Sequence, residues 1–219
     1  MDSTNFFHAI SVGAIPILFA VTLHEVAHGW MAKLCGDRTA FALGRLSLNP
    51  LKHIDPFGTL VLPGLLLLMG SPFLFGWAKP VPVNPGRLRD PRWDMVKVAV
   101  AGPGANVVMA VIWVVIAMVT VKLHIGGTFS LWVVEMSRWG VMANIFLAAF
   151  NLLPLLPLDG GRVLANSLPA GSFRTSFEKL EPYGFFIVLG LSYLGLLRVP
   201  ITAIALVIAR IVSFVTGHG

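Results

Sequence analysis

"VTLHEVAHGW", residues 21–30, contains the pattern His-Glu-x-x-His within a run of apolar residues. His24 and His28 are four residues apart, so on a helix both imidazoles lie on one face and can bind one metal ion. Glu25 is the type of residue that accepts a proton from water beside such an ion. Ionisable side chains are costly inside an apolar span and usually mark functional positions there. The stretch therefore predicts a metal site in a membrane helix.

The composition of the whole chain is that of a membrane protein. Its 219 residues are 56% hydrophobic and 12% charged, and the mean hydropathy is +0.82. Because a spanning helix needs about 20 apolar residues, the candidate spans are segments 6–34, 58–77, 95–121, 132–153 and 183–214. We expect an all-α polytopic membrane protein that forms a single domain over residues 1–219.

Charge and cysteine content exclude several other classes. The net charge is +6, but the basic residues cluster in short loops rather than on one helix face, so no nucleic-acid partner is predicted. The single cysteine, Cys35, excludes an internal disulfide and a thiolate zinc cluster. The first apolar segment lacks a basic start and contains the metal motif, so we do not expect a cleaved signal peptide.

The distribution of Lys and Arg predicts the orientation. Loops at residues 33–52, 79–97 and 162–179 are rich in basic residues, whereas loop 122–130 contains one lysine and the N-terminus has none. Basic loops of membrane proteins face the cytoplasm. We therefore expect a multi-pass protein of the plasma or inner membrane whose site lies towards the cytoplasmic side.

Segment 58–77 conflicts with a simple series of crossings. If the basic loops on both sides of it are cytoplasmic, it must enter and leave the membrane on the same face. Pro63-Gly64 and Gly70-Ser71-Pro72 interrupt the apolar run, as a re-entrant element requires. The alternative is an ordinary spanning helix with one basic loop outside.

A catalytic zinc ion takes three protein ligands and keeps a position open, so a third ligand is needed besides the two histidines. Asp159 is the leading candidate, and His53 or Asp55 is less favoured. Asp159 lies in "NLLPLLPLDGGR", residues 151–162, whose prolines predict unwound backbone. Such backbone occurs at membrane depth where it is buried in protein or lines a wet cavity.

Depth and direction agree for the two motifs. His24 and His28 precede Lys33 by five to nine residues, which places them about 8–14 Å from the inner end of their helix. Asp159 lies about 20 residues along a later span, close to the inner end as well. The motifs meet only if both helices run from outside to inside, as the charge distribution also requires.

HEVAH together with N-x-x-P-x-x-x-L-D-G-G, at residues 151–161, resembles the site-2 protease family of intramembrane zinc metalloproteases. "AGPGAN", residues 101–106, is similar to the middle core helix of that family, and "GWAKPVPVNP", residues 76–85, to its membrane-associated extended segment. The resemblance covers about residues 6–165 and implies a three-helix catalytic core with flanking helices at 183–216. The chain has no room for the PDZ or CBS domain of many members, so a minimal form is expected.

The resemblance also implies an activity and its residues. The expected reaction is hydrolysis of peptide bonds within or beside transmembrane segments of protein or peptide substrates in the lipid bilayer. His24, His28 and Asp159 would bind one Zn²⁺ per chain, and Glu25 would activate the water as general base. Asn151 would hold the substrate backbone or the oxyanion.

Further residues are candidates for the surroundings of this site. "KPVPVN", residues 79–84, is expected to form a short extended β segment that pairs with the unwound substrate as an added strand, with Val81 and Val83 as substrate contacts. Asn106 and His53 are candidates for a second shell around the metal ligands.

Functions of other classes remain alternatives. A zinc protease of another kind would take its third ligand from Glu135, Glu178 or Glu181. A membrane metal-binding transporter would use intramembrane His and Asp, but would not need Glu25. A non-catalytic chaperone for membrane segments would have lost part of the motif set, which is complete here. The sequence does not fix the oligomeric state.

Overall fold

The computed structural model of the protein describes residues 3–69, 76–123 and 127–217. Over these ranges the chain is helical and contains no strand. Three of the helices are 24 residues or longer, and the full set is α1 (Ser3–Leu34), α2 (Thr39–Ala42), α3 (Leu62–Leu68), α4 (Pro91–Lys122), α5 (Thr128–Asn151), α6 (Asp159–Ser167), α7 (Ser172–Glu178), α8 (Gly184–Tyr193) and α9 (Arg198–Thr216).

Four helices in the described part of the chain are long and apolar enough to cross a membrane. They are Ser11–Leu34 of α1, and α4, α5 and α9. The predicted all-α architecture is therefore confirmed for the described residues. Each of the three helices that contain a motif, α1, α4 and α5, is long and apolar enough to span a membrane. The predicted span at 183–214 is divided into α8 and α9, and the break falls at residues 194–197, where Gly195 has φ +71°. Pro200 lies in the first turn of α9, where proline is tolerated.

Helices α1, α4 and α5 form the centre of the molecule. Along α1, His24 contacts Asn106 and His28 contacts Val98 of α4, so these two helices are antiparallel. Helices α4 and α5 are antiparallel as well, because residues 106 and 113 of α4 meet residues 144 and 140 of α5. Helices α1 and α5 therefore run in the same direction, as the depth of the motifs predicted.

Segment 53–79 leaves this centre and returns to the same place. A π-helix (Pro56–Val61), N-capped by the Asp55 carboxylate, leads into α3. At the return, Trp77 N–H donates to Gly58 O (3.1 Å) and Lys79 N–H donates to His53 O (2.9 Å). The two ends of the segment therefore lie side by side. The predicted interruption at residues 70–72 lies outside the described residues.

Residues 77–84, which we call the wall segment, have no helical structure and lie alongside the C-terminal half of α1. The expected short β segment at 79–84 is not assigned as a strand, because its backbone N–H groups bond to α1, to the loop after it and to His53 rather than to a neighbouring strand.

The connection between α5 and α6 has the unwound form that its prolines predicted. Helix α5 ends at Asn151, and α6 begins at Asp159. Gly160 and Gly161 pack directly on the backbone of this connection, where a Cβ atom on either residue would overlap the main chain of residues 152–156. This close packing fixes Asp159 against the end of α5.

Candidate metal centre

Three potential ligand atoms from distant parts of the chain meet between α1 and α6. The Nε2 atoms of His24 and His28 are 3.0 Å apart. Asp159 Oδ2 lies 3.2 Å from the first and 3.3 Å from the second. Tetrahedral ligands about 2.0–2.1 Å from a zinc ion are separated from each other by about 3.3 Å. The triangle therefore has the dimensions of one face of a zinc coordination sphere.

The hydrogen bonds behind the histidines fix their protonation. Nδ1 of His24 lies 2.7 Å from Asn106 Oδ1, and Nδ1 of His28 lies 2.7 Å from Val98 O. Carbonyl oxygens only accept, so Nδ1 carries the proton in each neutral ring and Nε2 presents a lone pair. Asp159 Oδ2 is buried and has no hydrogen-bond partner among the described residues. Three electron-rich atoms thus converge without a donor, which suits a cation and disfavours an empty site.

Gly102 on α4 provides the room for both imidazoles. A Cβ atom at this position would lie 2.7 Å from Cε1 of His24 and would overlap the His28 ring as well. Gly104, two residues later, has open space around it. The small residues of "AGPGAN" therefore differ in role, because Gly102 supports the metal ligands and Gly104 does not.

Glu25 lies beside the ligands and faces the wall segment. Its Oε2 accepts the Val81 N–H at 2.7 Å, which leaves the second carboxylate oxygen for a further hydrogen bond. The carboxylate borders a cavity of about 370 Å³ that lies between the metal ligands and the wall segment. This cavity borders both the ligand triangle and the wall segment. Its lining residues are His24, Glu25, His28, Pro80, Val81, Pro82, Val83, Met95, Val98, Ala99, Asn151, Pro157, Leu158, Asp159 and Arg162.

The other predicted site residues fall into two groups. Asn151 lines the cavity and donates one amide N–H to Leu147 O at 2.9 Å. Val81 and Val83 line it too, but the Val81 side chain is buried against Gly29 of α1. Asn106 contacts His24 directly, through its Oδ1.

His53 and Asp55 do not join the ligand cluster. His53 is buried, and its Nε2 bonds to Ser47 O at 2.8 Å in a separate cavity beside the middle of α1. Asp55 accepts the N–H groups of the π-helix. Both residues therefore support the local backbone. Within the described ranges, the group of three suitable ligands is His24, His28 and Asp159, without a glutamate.

Sequence reasoning missed two contacts of the centre. It did not select Asn144, which is fully buried on α5 and accepts the Asn106 Nδ2–H at 2.9 Å. A signal existed, because Asn144 lies two helical turns before Asn151 and so shares its face. It also missed the bond between Val81 and Glu25, which joins residues 56 positions apart and has no sequence signature.

A carboxylate outside the spanning segments anchors the wall segment. Asp37 Oδ2 accepts the Asn84 N–H at 2.6 Å, and Oδ1 accepts the Thr39 N–H at 2.9 Å. Burial alone would raise the pKa of Asp37, but the hydrogen bonds from Thr39 and Asn84 outweigh it and hold this pKa below its usual value. Asp37 is therefore ionised near neutral pH and ties the wall segment to the end of α1.

Comparison with known protein families gives a result consistent with this geometry. A family model described as Peptidase family M50 matches residues 12–130 and 118–194. Together these matches include α1 from residue 12 onwards, α4, α5, α6 and the residues of the ligand cluster. No solved structure matched the chain.

Two curated relatives carry related names. The chain is 40% identical over 185 residues to "Putative zinc metalloprotease YwhC" of Bacillus subtilis, which covers 83% of this chain and 80% of that protein. It is 30% identical over 181 residues to "Putative zinc metalloprotease Rip2" of Mycolicibacterium smegmatis, which covers 78% of this chain and 62% of that protein.

Proposed function

The chain belongs to peptidase family M50, the site-2 protease family that its motifs resemble, and on this premise we propose that it is an intramembrane zinc metalloprotease. Its substrates would be membrane proteins cleaved within or beside their transmembrane segments. The observation that carries the proposal is the convergence of His24, His28 and Asp159 beside Glu25, where the two histidines and Glu25 lie on a helix able to span a bilayer.

The metal would be one zinc ion held by Nε2 of His24, Nε2 of His28 and Oδ2 of Asp159. When bound, zinc polarises a carbonyl group and makes a water molecule more acidic. Asn106 and the Val98 carbonyl keep the imidazole protons on Nδ1, so that both Nε2 atoms stay available as ligands.

Glu25 would act as the general base. Its carboxylate takes a proton from the attacking water and returns it to the leaving amine of the cleaved peptide bond. The Val81 N–H fixes one carboxylate oxygen and orients the other towards the cavity. Asn151 has a second amide N–H besides the one on Leu147 O, and this donor would stabilise the negative charge that develops on the substrate carbonyl oxygen.

The wall segment would hold the substrate. A helical substrate has its carbonyl groups in i→i−4 hydrogen bonds, so it must unwind before attack. Pro80 and Pro82 have no N–H, and the Val81 N–H is engaged by Glu25. An unwound peptide would therefore pair with the carbonyl oxygens and the Val83 N–H, in the manner of an added strand.

We further propose that segment 58–77 is re-entrant and that the centre opens to the cytoplasm. The hydrogen bond between Gly58 and Trp77 supports entry and exit on the same face. Cysteine labelling at Arg89, with the native Cys35 replaced by serine, tests this topology. We expect Arg89→Cys to react with an impermeant reagent from the cytoplasmic side, and labelling from outside would contradict the proposal.

The proposed activity is tested by comparing membrane-protein fragments in cells that express the wild-type chain or Glu25→Gln. This substitution keeps the shape of Glu25 and removes its proton-accepting function. Fragments that end within predicted transmembrane segments should disappear with Glu25→Gln, whereas Glu178→Gln, on an exposed surface pair with Arg174, should leave them unchanged. Identical fragment sets for wild type and Glu25→Gln would contradict proteolysis. Metal uptake retained in both would favour a transporter.

A further inference from the structure

Two fully buried asparagines connect the metal centre to α5. Asn106 on α4 and Asn144 on α5 have no exposed surface. Asn106 Nδ2 donates to Asn144 Oδ1 at 2.9 Å and to Ala20 O at 3.1 Å. Asn144 Nδ2 donates to Gly140 O at 2.8 Å. Buried amides are costly unless they are hydrogen-bonded, and here the bonds form a continuous chain that ends at His24.

Two backbone carbonyls determine the direction of this chain. Gly140 O can only accept, so the NH₂ group of Asn144 faces it and Asn144 Oδ1 faces Asn106. Ala20 O places the NH₂ group of Asn106 in the same way. Asn106 Oδ1 is left facing His24 Nδ1 and requires a proton there. Reversing either amide would set two acceptors against each other.

The two metal-binding histidines therefore differ in how their tautomers are fixed. His28 donates directly to a backbone carbonyl, that of Val98. His24 depends on side chains, Asn106 first and Asn144 behind it. The second link runs to α5, the helix that carries Asn151 at the cavity. Asn144 thus lies one hydrogen bond behind Asn106, and it touches neither the ligands nor the cavity.

We propose that Asn144 is a positioning residue, which acts through Asn106 to keep the His24 proton on Nδ1 and so sets the affinity of the centre for zinc. The inference rests on the proposed zinc site but not on proteolysis. It predicts that Asn144 and Asn106 act in series, so their contributions to zinc affinity are not independent.

The test is zinc affinity of the purified full-length chain in detergent, measured by competition with a chelator. Residues that orient a metal-bound histidine typically contribute about 10–100-fold to metal affinity. We expect Asn144→Leu to weaken zinc binding by ~10-fold or more. We expect the double variant Asn106→Leu/Asn144→Leu to be no weaker than Asn106→Leu alone, because Asn144 acts through Asn106.

Three further variants separate positioning from a structural role. Asn144→Asp, as the neutral acid that this buried position favours, keeps an accepting oxygen towards Asn106 and an O–H towards Gly140 O, so it should restore most of the affinity. Asn144→Ser is too short to reach Asn106 but can bond its own helix, as Ser137 does with Val133 O, so it should bind weakly and serves if Asn144→Leu does not fold. Ser137→Ala removes a buried hydroxyl from the same helix, and its affinity should equal that of the wild type.

A second measurement reports the tautomer without metal. The ¹⁵N shifts of labelled histidine in the zinc-free chain should show His24 with its proton on Nδ1 in the wild type and a mixture in Asn144→Leu and Asn144→Ser. Wild-type zinc affinity and an unchanged tautomer in these two variants would overturn the inference, as would losses that add in the double variant. A wild-type chain that binds zinc but cleaves nothing would instead contradict the proposed proteolysis alone.

Discussion

The ligand cluster and the wall segment face each other across one cavity, but they are built differently. Each histidine of the cluster is fixed by a hydrogen bond that it donates to α4, and Gly102 of the same helix packs against both rings. The wall segment has no helix or strand. Its N–H groups reach four separate places, which are the Gly58 and His53 carbonyls, the Glu25 carboxylate and the Asp37 carboxylate.

This difference separates two requirements of the proposed reaction. A metal site must hold its ligands within a fraction of an ångström, and a core of three packed helices does so. A substrate must enter between the metal ligands and the wall segment, so the wall segment has to move. One of its bonds ends on Glu25, which couples the position of the wall to the proposed general base.

The largest expected effect comes from disturbing the ligand cluster. Gly102→Val places methyl groups where the two imidazoles lie, so the ligand triangle cannot form. We expect zinc affinity to fall by at least ~100-fold, as measured by chelator competition.

Gly104→Val is the matched control on the same helix, because a Cβ atom there meets no neighbour. It should bind zinc as the wild type does. Equal losses in the two variants would show that α4 tolerates no larger residue in general, and would break the assignment of Gly102 to the metal centre.

The next largest effect should be on hydrogen exchange in the wall segment, without a change in zinc affinity. In Asp37→Asn the charge that accepts the Asn84 N–H is lost, and a hydrogen bond to a charged group contributes about 1.5–3 kcal/mol. We expect amide hydrogen exchange of Val81, Val83 and Asn84 to accelerate by ~10-fold or more, with zinc affinity unchanged. Asp90→Asn, which weakens the N-cap of α4, should leave this exchange as it is. A loss of zinc in Asp37→Asn would remove the distinction between the two sides.

The same carboxylate gives a dependence on pH. Because the pKa of Asp37 is lower in the folded chain than in the unfolded one, its ionised form stabilises the fold at neutral pH. This contribution disappears as the pH falls below about 3.9, the usual aspartate value. The difference in melting temperature between wild type and Asp37→Asn should therefore be present at pH 7 and shrink below about pH 4. A constant difference would contradict the assigned role.

A smaller effect is expected from Arg45, whose guanidinium donates to the carbonyl groups of Lys52 and Lys79 beside the wall segment. These bonds are exposed to solvent, so each contributes about 0.5–1.5 kcal/mol or less. Arg45→Ala should accelerate exchange of the Lys79 amide by ~2–5-fold. Arg38→Ala, at the other end of α2, is the control, and an equal change in both would point to general charge loss.

The same contrast explains what the sequence could predict. The cluster follows from short patterns, since the HEVAH spacing places two histidines on one helix face and the prolines before Asp159 predict the unwound approach to it. Charge distribution supplied the shared direction of α1 and α5. The wall depends on pairs far apart in sequence, such as Val81 with Glu25 and Asn84 with Asp37. Such contacts follow from tertiary packing, and neither periodicity nor spacing records them.

Asn144 and His53 show the same limit of sequence-based prediction, since one residue was missed and the other was selected. Both are buried polar residues, and sequence reasoning selected His53 near the site while it passed over Asn144. The position of His53 in the sequence, shortly before segment 58–77, favoured it as a site residue. Helix packing decided otherwise, because α5 brings Asn144 to Asn106, whereas the His53 ring bonds to Ser47 O in the loop after α2.

The most direct test of the account is the zinc content and zinc coordination of the purified chain. We expect one zinc ion per chain, with two imidazole nitrogens and carboxylate or water oxygens at about 2.0–2.2 Å by X-ray absorption. Asp159→Ala should lose this zinc, while Glu178→Gln should keep it. Equimolar zinc in Asp159→Ala, or a spectrum with a sulfur ligand, would contradict a centre built from His24, His28 and Asp159.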